Sequence, residues 1–279
     1  MKGHALTIDL EEWFQVLNLR ALVPPARWDR MERRTPAATA GLLALLADHG
    51  VKATFFCLGW LAEREPELIR RIEGEGHEIA SHGYGHCRLH ELGREGFRQD
   101  LERSVTLLEE ITGRRPTGFR ACSFSITPGT AWGLEEVARL GFTYDSSVFP
   151  VRHPDYGWPS FAPGPGFVET GAGRLLEFPP LTAGLGRWRL PLGGGGYLRL
   201  LPARLLSGRL GRLERRGLPG CIYLHPWELD PDQPRPGLRG LKAFRHYLNL
   251  ARTERKLRYL LERHPFRPMG RIAAAWPGA

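Results

Sequence analysis

The sequence predicts an α/β fold in which a parallel sheet closes, or nearly closes, into a barrel. Three observations carry this expectation. Short β-branched or aromatic runs alternate with segments of helical periodicity; five or more strand–helix units follow in series; and acids, imidazoles and an arginine sit just after the strands, where such a barrel gathers its active site.

The elements follow in order. "HALTIDL" is β-branched and apolar and reads as the first strand. Thr35-Pro36 then supplies an N-cap and first-turn proline for "AATAGLLALLADHG", a helix that stops at Gly50. "VKATFFCLG" is a second strand, followed by a helix over about Pro66 to Glu73 whose Leu68, Ile69 and Ile72 share a face. "HEIASHG" is a third, entered from the turn at Gly74 to Gly76. A longer helix over about Arg94 to Thr112 ends near Gly113, and "TGFRAC" follows as a short strand. Thr127-Pro128 opens a helix to Gly141, and "FTYDSS" is again extended.

After Pro150 the texture changes. "HPDYGWPSFAPGPGF" and "LPLGGGGYLRL" read as loops or edge strands, not linkers. "LLEFPP" and "CIYLHPW" are strands separated by a helix over about Pro202 to Arg216, and a final amphipathic helix runs from about Leu241 to Arg263. No fixed-period repeat is present. Residues 1–279 therefore read as one domain, with an extension woven in over about 150–279.

Composition narrows the function. At 279 residues and 42% hydrophobic content the chain buries a substantial core. No run approaches the ~18 apolar residues of a membrane span, and Met1-Lys2-Gly3-His4 leads into a strand, so a cytoplasmic location is expected. Cys57, Cys87, Cys122 and Cys221 are isolated and read as reduced structural thiols. The net charge of +9 comes from basic residues interleaved with acids, as in "RTERKLRYLLER", which suits solvated helices better than a nucleic-acid partner.

Asp9 and Glu11 follow the first strand, His82 and His86 the third, Arg120 and Asp145 later ones, and His225 ends "IYL". Brought to one face, this set has the composition of a hydrolytic metal site. Taken singly the signals are weak. His86 and His90 are also four apart, Asp145 before Ser146-Ser147 resembles a turn residue, and His225 alone suits a core position. Glycines 83 and 85 exclude a regular helix, so a turn must present His82 and His86. Trp13, Phe14, Trp60, Phe124, Tyr197 and Trp227 read individually as core, although several flank the polar motifs, where sugar rings would stack.

Taken together, "TIDLEE", "SHGYGH", "FRACSFS", "YDSSVFP" and "YLHPWE" resemble, in order and spacing, the five motifs of the polysaccharide deacetylases, carbohydrate esterase family four. The later segments "LLEFPP", "LPLGGGGYLRLLP", "IYLHPWELDPDQPR" and "FRHYLNL" resemble the extension of deacetylases from exosortase-type exopolysaccharide loci. The resemblance implies a distorted (β/α) barrel of about seven strands and N-deacetylation of N-acetylhexosamine units in an exopolysaccharide or its precursor. It also brings exopolysaccharide assembly machinery as a partner. The rival readings are a cyclic-imide or allantoin-type hydrolase on the same fold and a non-catalytic carbohydrate-binding relative.

By the same resemblance Asp9 matches the catalytic base, Arg120 the arginine that orients it, His225 the general acid, and Asp145 the acidic partner of that histidine. His82 and His86 match two ligands of a divalent metal, zinc first, with cobalt, nickel, manganese or iron as alternatives. Two departures matter. Leu10 stands where many members have a second aspartate, so the third ligand is Glu11 or Glu12, and the D-x-D variant of some relatives favours Glu11. Cys122 replaces the usual proline of the third motif.

Overall fold

The computed structural model describes residues 3–185 and 188–278, so Met1 and Lys2 lie outside the described residues. The chain begins β1 (His4–Leu10), α1 (Thr35–Asp48), β2 (Thr54–Cys57), α2 (Gly59–Arg64), α3 (Pro66–Gly74), β3 (Glu78–Ser81), α4 (Leu89–Thr112), β4 (Gly118–Phe119), α5 (Trp132–Arg139) and β5 (Tyr144–Asp145). It continues through β6 (Gly166–Thr170), β7 (Gly173–Glu177), β8 (Thr182–Leu185), β9 (Trp188–Pro191), α6 (Gly195–Leu200), α7 (Ala203–Glu214), β10 (Cys221–Leu224), α8 (Gly240–Tyr247), α9 (Thr253–Leu261), β11 (Phe266–Arg267) and α10 (Met269–Ala274).

β1 is buried along its whole length because both its faces are covered. It pairs in parallel with β10 on one side and β2 on the other, and the sheet runs in the order β10-β1-β2-β3-β4-β5-β7-β6. Every neighbouring pair in this sheet is parallel as far as β7; β6 is added antiparallel, β11 adds in parallel to β1 off this path, and β8 and β9 form a separate antiparallel pair. The fold is thus α/β, with seven parallel strands along the main path among the described residues, curled into part of a barrel. The segment after β7 spans the remaining gap: the Phe178 N–H donates to Asp145 O, the Leu181 N–H to Cys221 O, and the Tyr223 N–H to Gly193 O.

This closure explains the glycine run. A Cβ on Gly193 would sit 2.7 Å from Leu181 N and 2.9 Å from Cys221 O, and one on Gly194 would overlap the Tyr223 backbone. Only glycine lets these strands approach so closely. Immediately after them "YLRL", expected as loop or edge strand, is helical (α6), because Leu198 and Arg199 are both buried by the turn.

Other boundaries also differ from expectation. Thr35 does not cap α1; its hydroxyl donates to Glu11 O, while Glu12 accepts the Arg34 and Thr35 N–H groups and serves as the cap. The long helix begins earlier, at Leu89, and is interrupted at Gly93, whose φ is 67°. The segment from Thr127 forms a 3-10 turn before α5. The final helix is two: Asn249 adopts a left-handed φ of 55°, its side chain bonded to Arg199 O, and splits α8 from α9.

At β4 the sheet depends on one absent side chain. A Cβ on Gly118 would overlap the Tyr144 ring on β5. Gly118→Ala is therefore expected to cost about 1–3 kcal/mol, measured by urea unfolding.

Candidate active site

Parallel strands bring their C-terminal ends to one face. There a cavity of about 410 Å³ is lined by Asp9, Glu11, His82, His86, Ser123 and His225, among others. The structure thus brings together residues more than 200 positions apart in sequence, with Arg120 directly behind them.

Arg120 is fully buried and organises one side. Its guanidinium donates to Asp9 Oδ1 at 2.6 Å, Thr7 Oγ1 at 2.9 Å, Ser146 O at 3.1 Å and Ser146 Oγ at 2.8 Å, and lies over the Phe56 ring. This leaves Asp9 Oδ2 turned toward His225 Nε2, 3.9 Å away. The Arg120 backbone carbonyl has a second job. It accepts a hydrogen bond from His82 Nδ1 at 2.8 Å, so His82 carries its proton there and presents an unprotonated Nε2 to the site.

The "SHGYGH" turn is held by a residue without a local sequence signal. Asp100 on α4 accepts the N–H groups of Tyr84 and Gly85. Gly83 has a φ of 73°, and His86 itself is left-handed at 50°. Glycine adopts this conformation freely, whereas the left-handed His86 backbone persists only where its surroundings enforce it, and here it aims His86 at Glu11. Glu11 Oε2 is buried and lies 2.6 Å from His86 Nε2 and 4.0 Å from His82 Nε2. His90, the alternative partner for His86, is exposed on α4.

The electrostatics separate the carboxylates. Burial alone would raise Glu11, but His86, His225 and His82 outweigh it and bring its pKa to about 2. Burial dominates at Glu12 and pushes it up to about 7, against its capping hydrogen bonds. Burial also lowers His82 to about 4, keeping the imidazole neutral as a metal ligand requires.

Cys122 sits beside this cluster. Its Sγ donates to His82 O at 2.9 Å, and its sulfur and the two imidazoles place ligand atoms within 4.8 Å of one another. Burial holds this thiol well above its usual pKa. The residue in place of proline therefore ties the third motif to the second through a hydrogen bond that proline could not make.

One expected contact is absent. Asp145 forms no hydrogen bond or ion pair with His225 among the described residues; it accepts the Ser147 N–H and Oγ–H and shares its buried site with Glu177. Ser147 Oγ in turn accepts the Ala121 N–H, so Asp145 shapes the loop behind Arg120. β5 points the carboxylate away from the cavity. The acid that meets His225 is Glu228, whose Oε2 lies 2.9 Å from Nδ1 and whose Oε1 accepts from Arg199 Nε at 2.6 Å. Burial would lower His225, but Glu11, Glu228 and Asp9 overcome it and raise its pKa to about 9. The signal that could have found Glu228 is its spacing: three residues past His225, with Pro226 between, it caps a 3-10 turn.

The aromatic residues divide. Trp13, Phe14 and Trp60 belong to the core, Phe124 and Trp227 are packed in hydrophobic clusters and also line the cavity, and Tyr197 lines it. Trp227 is stacked between His225 at 4.9 Å and His246 at 4.7 Å. All four cysteines are free, and no helix among the described residues is long and apolar enough to cross a membrane.

Residues 27–144 match the family model described as polysaccharide deacetylase, and residues 146–274 match a domain of unknown function, DUF3473. Among curated proteins, the chain is 37% identical over 82 residues to a peptidoglycan-N-acetylglucosamine deacetylase of Bacillus cereus, covering 29% of this chain and 30% of that one. It is 36% identical over 109 residues to a chitin deacetylase of Pestalotiopsis sp, 38% of this chain and 36% of that one. The chain spans about a third of the length of these relatives. Among solved structures, a Mycobacterium smegmatis protein assigned to the polysaccharide deacetylases superposes with a TM-score of 0.63 over 99% of this chain and 91% of that one, at 23% identity. The allantoinase Puue superposes at 0.61 over 98% and 89%, at 17% identity. At these identities the two likenesses concern the fold.

Proposed function

From the premise that the chain carries a polysaccharide deacetylase region of carbohydrate esterase family 4, we propose that it hydrolyses the acetamide of N-acetylhexosamine units, in an exopolysaccharide or its precursor, with a divalent metal. The observation that carries this reading is the buried Glu11 carboxylate, whose Oε2 lies 2.6 Å from His86 Nε2 and 4.0 Å from His82 Nε2, with Asp9 and His225 flanking the cluster.

The donor set fits such an ion: one carboxylate and two imidazoles, with the His82 tautomer set by Arg120 O. An ion held by Glu11, His82 and His86 would polarise the acetamide carbonyl and lower the pKa of water from about 15.7 toward ~7. Asp9, oriented by Arg120, removes the proton from the attacking water. The backbone at Ser123, left-handed at a φ of 55°, offers an N–H to the developing oxyanion. His225, kept protonated by the neighbouring Glu11 and Glu228 carboxylates, gives its proton to the departing amine as the C–N bond breaks, leaving acetate and a free sugar amine. An open cavity lined by Phe124, Tyr197 and Trp227 suits a sugar chain better than the small closed pocket of an imide hydrolase.

The test is acetate release from N-acetylglucosamine oligomers by zinc-loaded protein. Asp9→Asn is expected to reduce kcat on the order of 10²- to 10⁴-fold. No release across such oligomers, or undiminished release by the variant, would overturn the proposal. Metal analysis separates the neighbouring glutamates. Glu11→Ala is expected to lose zinc, whereas Glu12→Ala retains it and loses about 0.5–2 kcal/mol of stability with the α1 cap; zinc retained by Glu11→Ala would remove Glu11 from the ligand set.

A further inference from the structure

One wall of the cavity, built in part by the segment after Pro150, sets two hydrogen-bond donors against a single imidazole. His153 Nδ1 lies 3.2 Å from the Asp155 backbone N–H, and His153 Nε2 lies 3.3 Å from Arg245 Nη2. Both neighbours are donors, and a neutral imidazole has only one lone pair with which to accept. Whichever tautomer is present, one donor is left over. The amide is fixed in the turn two residues along; the Arg245 guanidinium is on an exposed arm of α8 and forms no ion pair among the described residues. The carboxylate of Asp155 stands on the other side of the ring, 3.9 Å from Nδ1, with its side chain half exposed.

The imidazole is held in place. Tyr156 stacks on it with centroids 3.8 Å apart and planes at 13°, and Tyr156 stacks in turn on Phe149. A ladder of ring contacts then leads from Tyr156 through Phe124 and Tyr223 to His225. Arg245, His153, Tyr156 and His225 all face the same 410 Å³ cavity. The donor–donor conflict at His153 is therefore inside the cavity that Asp9 and His225 also line, on an aromatic wall, with Asp155 on the other side of the ring.

We propose that Arg245 and His153 form an anion subsite, which takes a carboxylate or phosphate group borne by a sugar beside the unit undergoing reaction. An anionic oxygen between the two side chains accepts from both and removes the donor–donor conflict. The substrate class is then an acidic N-acetylated saccharide rather than a neutral one; this deepens the deacetylase reading and rests on it.

The experiment reads binding apart from turnover, by calorimetry on zinc-loaded protein in the Asp9→Asn background at low salt. A hyaluronan tetrasaccharide, which alternates N-acetylglucosamine with a uronate, is compared with chitotetraose; N-acetylglucosamine 1-phosphate is compared with N-acetylglucosamine. The acidic ligand is expected to bind about ten times more tightly or better in at least one comparison. Preference in the first pair assigns a carboxylate, and in the second a phosphate. Arg245→Ala is expected to abolish the preference, Arg245→Lys to keep part of it, and Lys242→Ala, on an exposed position of the same helix, to leave it intact. Equal affinities in both pairs, or a preference that survives Arg245→Ala, would overturn the subsite. Acetate release by protein with Asp9 intact separates the two readings. Release without charge preference sinks the subsite alone, and charge preference without release sinks the deacetylase reading alone.

Discussion

Glu228→Gln is expected to move the basic limb of the pH–kcat profile down from about 9 toward the ordinary histidine value of 6.5. In the proposed mechanism His225 acts as the acid, so activity would require its protonated form and fall as pH rises through its pKa. Burial by itself would lower that pKa; Glu11, 3.5 Å from Nε2, raises it, and Glu228 adds to this by accepting from Nδ1 and through its charge, with Asp9 contributing less. Were the pKa to reach 6.5, the protonated fraction at pH 8 would fall from about 0.9 to about 0.03, roughly a 30-fold loss of kcat. Glutamine also leaves Arg199 without its buried counter-charge, so some loss of stability accompanies the change. The position of the pH limb distinguishes the two effects, because destabilisation alone does not move it. Asp145→Asn is expected to leave the limb near 9, since Asp145 does not touch His225. A limb that moved with Asp145 and not with Glu228 would restore the assignment made from sequence.

Arg120→Met removes the fully buried charge that holds Asp9 from behind. A buried pair broken on one side typically costs about 3–5 kcal/mol, because the remaining charge is left uncompensated. Here the same side chain also bonds Thr7 and Ser146 and covers Phe56, so the upper part of that range is expected in urea unfolding. Adding Asp9→Asn removes the stranded charge, and the double variant is expected to be more stable than Arg120→Met alone. A single variant within about 1 kcal/mol of the wild type would show that the buried pair contributes little.

The legible part of the site was the part carried by strand ends. Asp9, Glu11, His82, His86, Arg120 and His225 each follow an apolar run, and a parallel sheet delivers every such position to the same face. Two kinds of feature were not legible. Side-chain direction at β5 was one: Asp145 occupies the expected place in the order of motifs but points into the loop behind Arg120. The other was support from distant elements. Asp100 lies in the middle of a helix with nothing local to mark it, and Arg199 follows a glycine run that reads as loop until Leu181 and Tyr223 are seen packed against it.

Periodicity, turn residues and motif order already specify an α/β chain of strand–helix units with its polar residues at one end, because those signals are local and repeat along the chain. The partners of each polar group are a different matter. Glu12 became a helix cap, Glu228 the partner of His225, and Cys122 a bond to the His82 carbonyl only once separate elements met within hydrogen-bond distance. Hydrogen bonds and charge interactions act over a few ångströms in space, whereas sequence spacing measures distance along the chain. For residues as far apart as Asp9 and His225, only the folded sheet converts one into the other.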